Sequence, residues 1–142
     1  METRGAARAG RPADDGEAAT LLTRLAAANP DEAQWQYLLG DVLFRERRSE
    51  EALPHLRAAI RLDDGLPAAH AVLGRIYLQL GEASKAIPQL LEGLPTDEAA
   101  ISFQLGQAYR ATGQAELAAK AFERQRELSR PPPERAEITA PE

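Results

Sequence analysis

Residues 39–56 read LGDVLFRERRSEEALPHL, and two later stretches repeat their pattern: LGRIYLQLGEASKAIPQL at 73–90 and LGQAYRATGQAELAAKAF at 105–122. In each copy a Leu-Gly pair is followed, at matched positions, by a bulky apolar residue, an Ala and a second bulky apolar residue. The three glycines are Gly40, Gly74 and Gly106, so the copies are 34 and 32 residues apart. A period in this range indicates one supersecondary unit that stacks on copies of itself.

Apolar residues at helical spacing predict two helices in each unit. We expect them at 32–46 and 50–62, at 67–80 and 83–93, and at 97–111 and 115–129. Ahead of these, Ala18, Leu22 and Pro30 match the second half of a unit, so a half repeat precedes the three whole ones. The sequence therefore predicts an all-α chain of antiparallel helix pairs.

Polar residues between the apolar segments predict how two of the helices begin. Asn29 is predicted to cap the first helix of unit one, with Pro30 at its first position and Asp31 and Glu32 in its first turn. Thr96 is predicted to cap the first helix of unit three.

A glycine inside a helix costs about 0.5–1 kcal/mol relative to alanine, so the repeated glycines need a compensating contact. Close approach of the paired helix would provide it. We expect the small surface opposite each glycine to come from the alanines of the pattern, Ala52, Ala86 and Ala118.

Composition limits the classes of function. The chain has 142 residues, 44% of them hydrophobic, which suits one domain. We assign residues 16–129 to it, with a disordered arm at 1–15 and a disordered Pro-rich tail at 130–142. A net charge of -5 argues against nucleic acid as a partner. The absence of cysteine and of long apolar runs favours a cytoplasmic protein that does not bind a membrane.

The repeated Leu-Gly, Tyr and Ala positions resemble the tetratricopeptide repeat (TPR) over residues 17–129. The resemblance implies a right-handed α-solenoid of three TPR-like units preceded by a half repeat. Where the family often has tryptophan, this chain has Gln36, His70 and Ser102. Unit two is two residues shorter than the usual repeat, and we place the deletion between Gly93 and Thr96.

The resemblance also implies that the first helices of successive units line a concave groove for a partner segment. The candidate groove residues lie beside the packing positions: Gln34, Tyr37, Asp41, Phe44, Arg45, Arg75, Leu78, Gln79, Phe103, Gln107 and Arg110, with Ala71 among the small ones. Their aromatic, aliphatic and arginine side chains suit a surface for another protein. An ordinary solvated face would explain the same residues equally well.

One branch of the family holds a partner's terminal carboxylate with a set of lysine, asparagine and arginine residues. At the corresponding positions this chain has Tyr37, Asp41, Val72, Ala100 and Gln104, so that clamp is not expected. Arg45, Arg75 and Arg110 remain available to recognise an acidic peptide in another arrangement.

Nothing in the sequence indicates catalysis. The two histidines fall on different kinds of helix: we expect His70 to be a packing residue and His55 to lie on a solvated face. No phosphate loop and no nucleophile with a nearby base are present in the sequence, so we predict no enzyme, no cofactor and no metal site.

These observations predict a non-enzymatic, monomeric protein-interaction module, an adaptor or a chaperone-like protein, that binds a protein or peptide segment in its groove. The alternative is a structural module that docks or self-associates through the array ends, residues 21–25 and 122–128.

Overall fold

The computed structural model describes residues 15–133, and within this range it consists of α-helices and one short 3-10 helix. The seven α-helices are α1 Asp15–Ala28, α2 Ala33–Arg45, α3 Ser49–Leu62, α4 Pro67–Gln79, α5 Ala83–Glu92, α6 Glu98–Ala111 and α7 Ala115–Ser129. The six predicted helices of the whole units lie within one residue of these bounds at each end. Of the predicted arm and tail, residues 1–14 and 134–142 lie outside the described residues.

The helices pair in chain order to form an α-solenoid. Contacts are most extensive within the pairs α2 and α3, α4 and α5, and α6 and α7. Helix α1 packs on α2 as a half repeat, and each second helix contacts the first helix of the next unit. The first helices also touch one another, α2 with α4 and α4 with α6. This contact places α2, α4 and α6 side by side.

One continuous core runs through the array, from Ala19 in α1 to Ala108 in α6. Its largest fully buried side chains are Leu39, Leu56, Ile76, Leu90 and Ile101. Several of these occupy the repeated bulky positions, so the sequence pattern that sets the period also fills the core.

The repeated glycines permit the helices of a pair to approach closely. A Cβ atom added to any of them would overlap the last bulky residue of the pattern: Leu56 at 2.6 Å from Gly40, Leu90 at 2.7 Å from Gly74 and Phe122 at 2.5 Å from Gly106. The nearest atoms therefore belong to the bulky residue and not to the expected alanine, although at Gly40 the Ala52 carbonyl oxygen lies 3.4 Å from the added Cβ. The alanines are buried one turn earlier and let the bulky side chains lie over the glycines.

The first helix of each unit ends in the same turn, with one residue in the left-handed region. That residue has φ 65° at Arg47, φ 80° at Gly81 and φ 80° at Gly113. In each turn the N–H of the next residue donates to the carbonyl five residues before it, as from Arg48 to Leu43 at 2.8 Å. This hydrogen bond satisfies a carbonyl that the end of the helix would otherwise leave free. Arg47 therefore holds a conformation that the other two units give to glycine.

The predicted start of α2 was wrong. Asn29 closes α1 instead, because its Nδ2 donates to the Leu25 carbonyl at 2.9 Å. Helix α2 begins later, at Ala33, and Glu32 precedes it without a side-chain cap. Pro30 and Asp31 therefore belong to the connection and not to the first helical turn.

The predicted cap of α6 was displaced by one residue. Asp97 caps the helix, since its carboxylate accepts a hydrogen bond from the Ala100 N–H at 3.2 Å. The Thr96 hydroxyl points back and donates to the Gly93 carbonyl at 2.8 Å. Thr96 is thereby the last residue of the 3-10 helix Leu94–Thr96, which connects the shortened unit two to unit three.

Candidate partner-binding groove

The three first helices together form a cavity of about 270 Å³. Its lining comes from all three whole units: Phe44 from α2, Arg75, Leu78 and Gln79 from α4, and Gln104 and Gln107 from α6. All but Gln104 are among the predicted groove residues. Gln104 lies three residues before Gln107, one turn away on the same helix face, and that spacing could have identified it.

Two hydrogen bonds hold three of the four polar side chains of the cavity in place. Arg75 Nε donates to Gln104 Oε1 at 3.2 Å, which connects α4 to α6. The Ser49 hydroxyl at the start of α3 donates to Gln79 Oε1 at 2.7 Å. Within residues 15–133, neither the Nη atoms of Arg75 nor the amide of Gln107 has a hydrogen-bond partner. These groups are therefore available to a ligand.

A polar cluster on α2 adjoins the arginine of the cavity. Asp41 and Arg45 form an ion pair at 3.2 Å on successive turns of α2. Burial raises the pKa of the half-buried Tyr37 above 10.0, the charge of Asp41 raises it further, and Arg45 and Arg75 oppose that shift. Tyr37 therefore lies within electrostatic range of the α4 arginine.

Six predicted groove residues do not line this cavity. Tyr37, Asp41 and Arg45 form the adjoining cluster on α2, and the other three lie away from it. Gln34 lines a separate depression of about 440 Å³ with residues at the end of α3. Phe103 and Arg110 instead surround Phe122 of α7: the two phenylalanine ring centroids are 5.7 Å apart, and Arg110 Cζ lies 5.3 Å from the Phe122 centroid. The last unit therefore directs its largest groove-side residues toward its own second helix.

Ala71 is unavailable to any partner because the connection after α5 covers it. Its side chain is only 3% exposed. A Cβ atom on Gly93 would lie 2.7 Å from the Ala71 Cα, so the backbone at the end of α5 lies directly against α4. The close contact occurs at Gly93, where the predicted deletion in unit two begins.

The two histidines make matching contacts with glutamines. His70 Nδ1 lies 2.7 Å from Gln89 Oε1, and His70 Nε2 lies 3.0 Å from the carbonyl oxygen of Asp64. His55 Nδ1 lies 2.9 Å from Gln36 Oε1. His70 is a buried packing residue, as expected, but His55 is half-buried and hydrogen-bonded, so its assignment to a solvated face was wrong.

Burial favours the neutral form of His55. Burial lowers the pKa of His55 below 6.5, and the nearby charge of Glu51 opposes that shift. Over residues 15–133, no group of three or more His, Cys, Asp or Glu side chains is placed to hold a metal ion. The absence of metal, cofactor and enzymatic activity stays a prediction.

Among the helices of residues 15–133, none combines the length and the apolar character needed to cross a bilayer. The cytoplasmic location stays a prediction from the sequence.

Stacked helix pairs with a shared glycine contact define the chain as an α-solenoid repeat protein. Three family models described as tetratricopeptide repeat match it, at residues 4–67, 43–100 and 99–130. The chain belongs to the tetratricopeptide repeat family, as its sequence pattern indicated.

Solved structures support the same fold. A MamA crystal structure is 23% identical in sequence and superposes with a TM-score of 0.71. The match covers 90% of this chain and 68% of the MamA chain. A thermophilic TPR protein from Thermus thermophilus is 25% identical, with a TM-score of 0.61. That match covers 79% of this chain and 64% of the Thermus protein. No curated protein sequence matches the chain. Similarity at this level shows the fold.

Proposed function

We propose that the chain is a non-enzymatic adaptor or chaperone-like module that binds a segment of a partner protein along the face formed by α2, α4 and α6. Membership of a family whose members bind proteins supports protein interaction as the general function. The groove assignment has separate support from the cavity.

The observation that carries this proposal is the convergence of unrepeated side chains from three units on one cavity. Phe44 lies four residues after its glycine and packs partly against the core. Arg75 and Gln107 both directly follow the glycine of their units, and the residue type at this position differs from unit to unit. Their free polar groups lie next to apolar surface, a combination typical of protein-binding sites. With about 270 Å³, the cavity is below the roughly 300–1,000 Å³ of clefts for drug-sized ligands, so it suits one or two side chains.

The test is capture of partners from the native cell by the tagged wild type and by Arg75→Glu. Arg61→Glu is the matched control, because Arg61 is exposed on α3 and has no ion pair among the described residues. We expect Arg75→Glu to lose partners that Arg61→Glu retains, with both variants equally helical by circular dichroism. Retention of the same partners by all three proteins would contradict the groove proposal.

A second candidate function is association through the ends of the array. Leu21 on α1 is 56% exposed, and Leu117 and Leu128 on α7 are 41% and 37% exposed. Exposed leucines at both ends are consistent with docking of another protein surface. Sedimentation velocity over a wide concentration range tests this alternative: the wild type should gain mass with concentration, and Leu21→Glu or Leu128→Glu should stay monomeric. A wild type that stays monomeric throughout would exclude self-association.

A further inference from the structure

The cavity between the first helices has an excess of unused hydrogen-bond donors. Gln79 and Gln104 already use their Oε1 atoms, so the groups they have left are mainly N–H donors. Arg75 contributes two Nη groups, which can only donate. In the described lining only the Oε1 of Gln107 accepts no hydrogen bond at all, and Gln79 and Gln104 each keep one lone pair. A ligand that satisfies this cavity must therefore bring acceptor oxygens.

No carboxylate in the described lining of the cavity neutralises the positive charge of Arg75. Arg75 is the one charged residue among the six that line it. The nearby carboxylate of Asp41 is engaged by Arg45 at 3.2 Å. Since the guanidinium is always charged and binds a carboxylate through two parallel hydrogen bonds, a carboxylate is the acceptor that fits it best.

Apolar surface adjoins this donor-rich cavity. Phe44 on α2 and Leu78 on α4 are both half-buried and both line the cavity, so they offer two apolar walls from neighbouring helices. A bulky aliphatic side chain placed between them would remove apolar area from water on both sides.

On this basis, and resting on the proposed function, we propose that the groove recognises an internal acidic and aliphatic pair in a partner protein. A Leu, Ile or Met side chain packs between Phe44 and Leu78, and a neighbouring Asp or Glu accepts hydrogen bonds from the Arg75 Nη groups. The Gln107 amide, with both a donor and an acceptor, bonds the partner's backbone. A nucleic acid is a poorer occupant, because the lining has a single cation and the chain has a net charge of -5.

The experiment is selection from a library of short random peptides with acetylated and amidated ends, which removes terminal charges. The probes are the wild-type chain, Arg75→Glu, Arg75→Gln and the control Arg61→Glu. We expect the wild type and the control to enrich Asp or Glu within two residues of Leu, Ile or Met. Arg75→Glu should enrich Lys or Arg at that position, because its new carboxylate replaces the guanidinium. Exchange of the selected acid for Asn should weaken wild-type binding roughly tenfold or more.

The outcomes distinguish this inference from the proposed function. If the wild type selects peptides without acidic preference, or if Arg75→Glu keeps the wild-type preference, the acidic recognition is wrong and the groove proposal stands. If the wild type selects no peptide, the proposed function and the inference both fail. Arg75→Gln keeps the test interpretable if the charge-reversed chain misfolds. It should keep the preference for aliphatic residues and lose the preference for acidic ones. Retention of the acidic preference would overturn the inference.

Discussion

Nδ1 of His70 in α4 and Oε1 of Gln89 in α5 form a partly buried contact of 2.7 Å, and unit one makes the same contact with the residue types exchanged. There Gln36 is in the first helix and His55 in the second, at 2.9 Å. The positions in the first helices are those where the family often has tryptophan. A polar pair thus replaces one large ring in two units, and both members must be present for its groups to be satisfied.

We predict that His70→Gln destabilises the chain by about 1–3 kcal/mol, because the Asp64 carbonyl and Gln89 lose their partner. The exchanged pair His70→Gln/Gln89→His should recover part of that loss, since it reproduces the arrangement of unit one. Urea unfolding of the wild type, the single variant and the double variant measures both effects. A double variant no more stable than His70→Gln would show that the exchange is not tolerated in unit two.

A second prediction concerns pH. Because burial lowers the pKa of His55 below 6.5, the unfolded chain binds more protons than the folded one as the pH falls through this range. His55 therefore contributes stability above pH 6.5 that is lost on acidification toward its lower folded pKa. We expect His55→Gln to reduce the loss of stability between about pH 7.5 and about pH 5.5.

Chemical unfolding of both proteins at the two pH values measures this difference. His70→Gln serves as a comparison, because it changes the other histidine and leaves the His55 contact intact. An identical loss of stability in the wild type and in His55→Gln would contradict the assigned role of His55.

The repeated glycines give a third prediction. Gly74→Leu should destabilise the chain by about 1–3 kcal/mol through overpacking against Leu90, and Gly74→Ala should act in the same direction. Gly16→Ala is the matched control, because Gly16 lies in α1 with nothing within 4 Å of its added Cβ. The control should be neutral or slightly stabilising. Unchanged melting of Gly74→Leu would show that the helix pair has room for a side chain.

Periodicity was sufficient for the helices, because the spacing of apolar residues and the recurrence of glycine report directly on which faces are buried. Features that depend on one side chain's choice between several backbone partners could not be read in the same way. Asn29 and Thr96 both lie near a helix start, yet their side chains bond backward, to Leu25 and Gly93. Propensity alone does not distinguish the two directions.

The predicted set of groove residues coincides only in part with the lining of the cavity. Repeat positions indicate which residues lie on the same face of the first helices, and Phe44, Arg75 and Leu78 of the predicted set line one cavity. They do not indicate how a neighbouring second helix redirects a side chain. Phe103 packs against Phe122 because α7 presents an aromatic ring there, where units one and two have leucine.

The turn after α2 gives the last prediction. Arg47 has φ 65°, where units two and three have Gly81 and Gly113 at φ 80°. A left-handed conformation costs an L-residue with a Cβ atom roughly 1–2 kcal/mol, and glycine avoids this cost but loses about 0.4–1 kcal/mol through the greater freedom of the unfolded chain. Arg47→Gly should therefore stabilise the chain by roughly 0.5–1 kcal/mol.

The reverse change, Gly81→Arg, supplies the matched control and should destabilise unit two by a similar amount. The midpoint of urea unfolding measures both variants, and an unchanged slope would show that only stability has altered. Destabilisation by Arg47→Gly would mean that the Arg47 side chain contributes more than its backbone strain costs. Arg47 lines a depression together with Gln79, which also lines the cavity between the first helices. Partner binding by Arg47→Gly should therefore be measured alongside its stability.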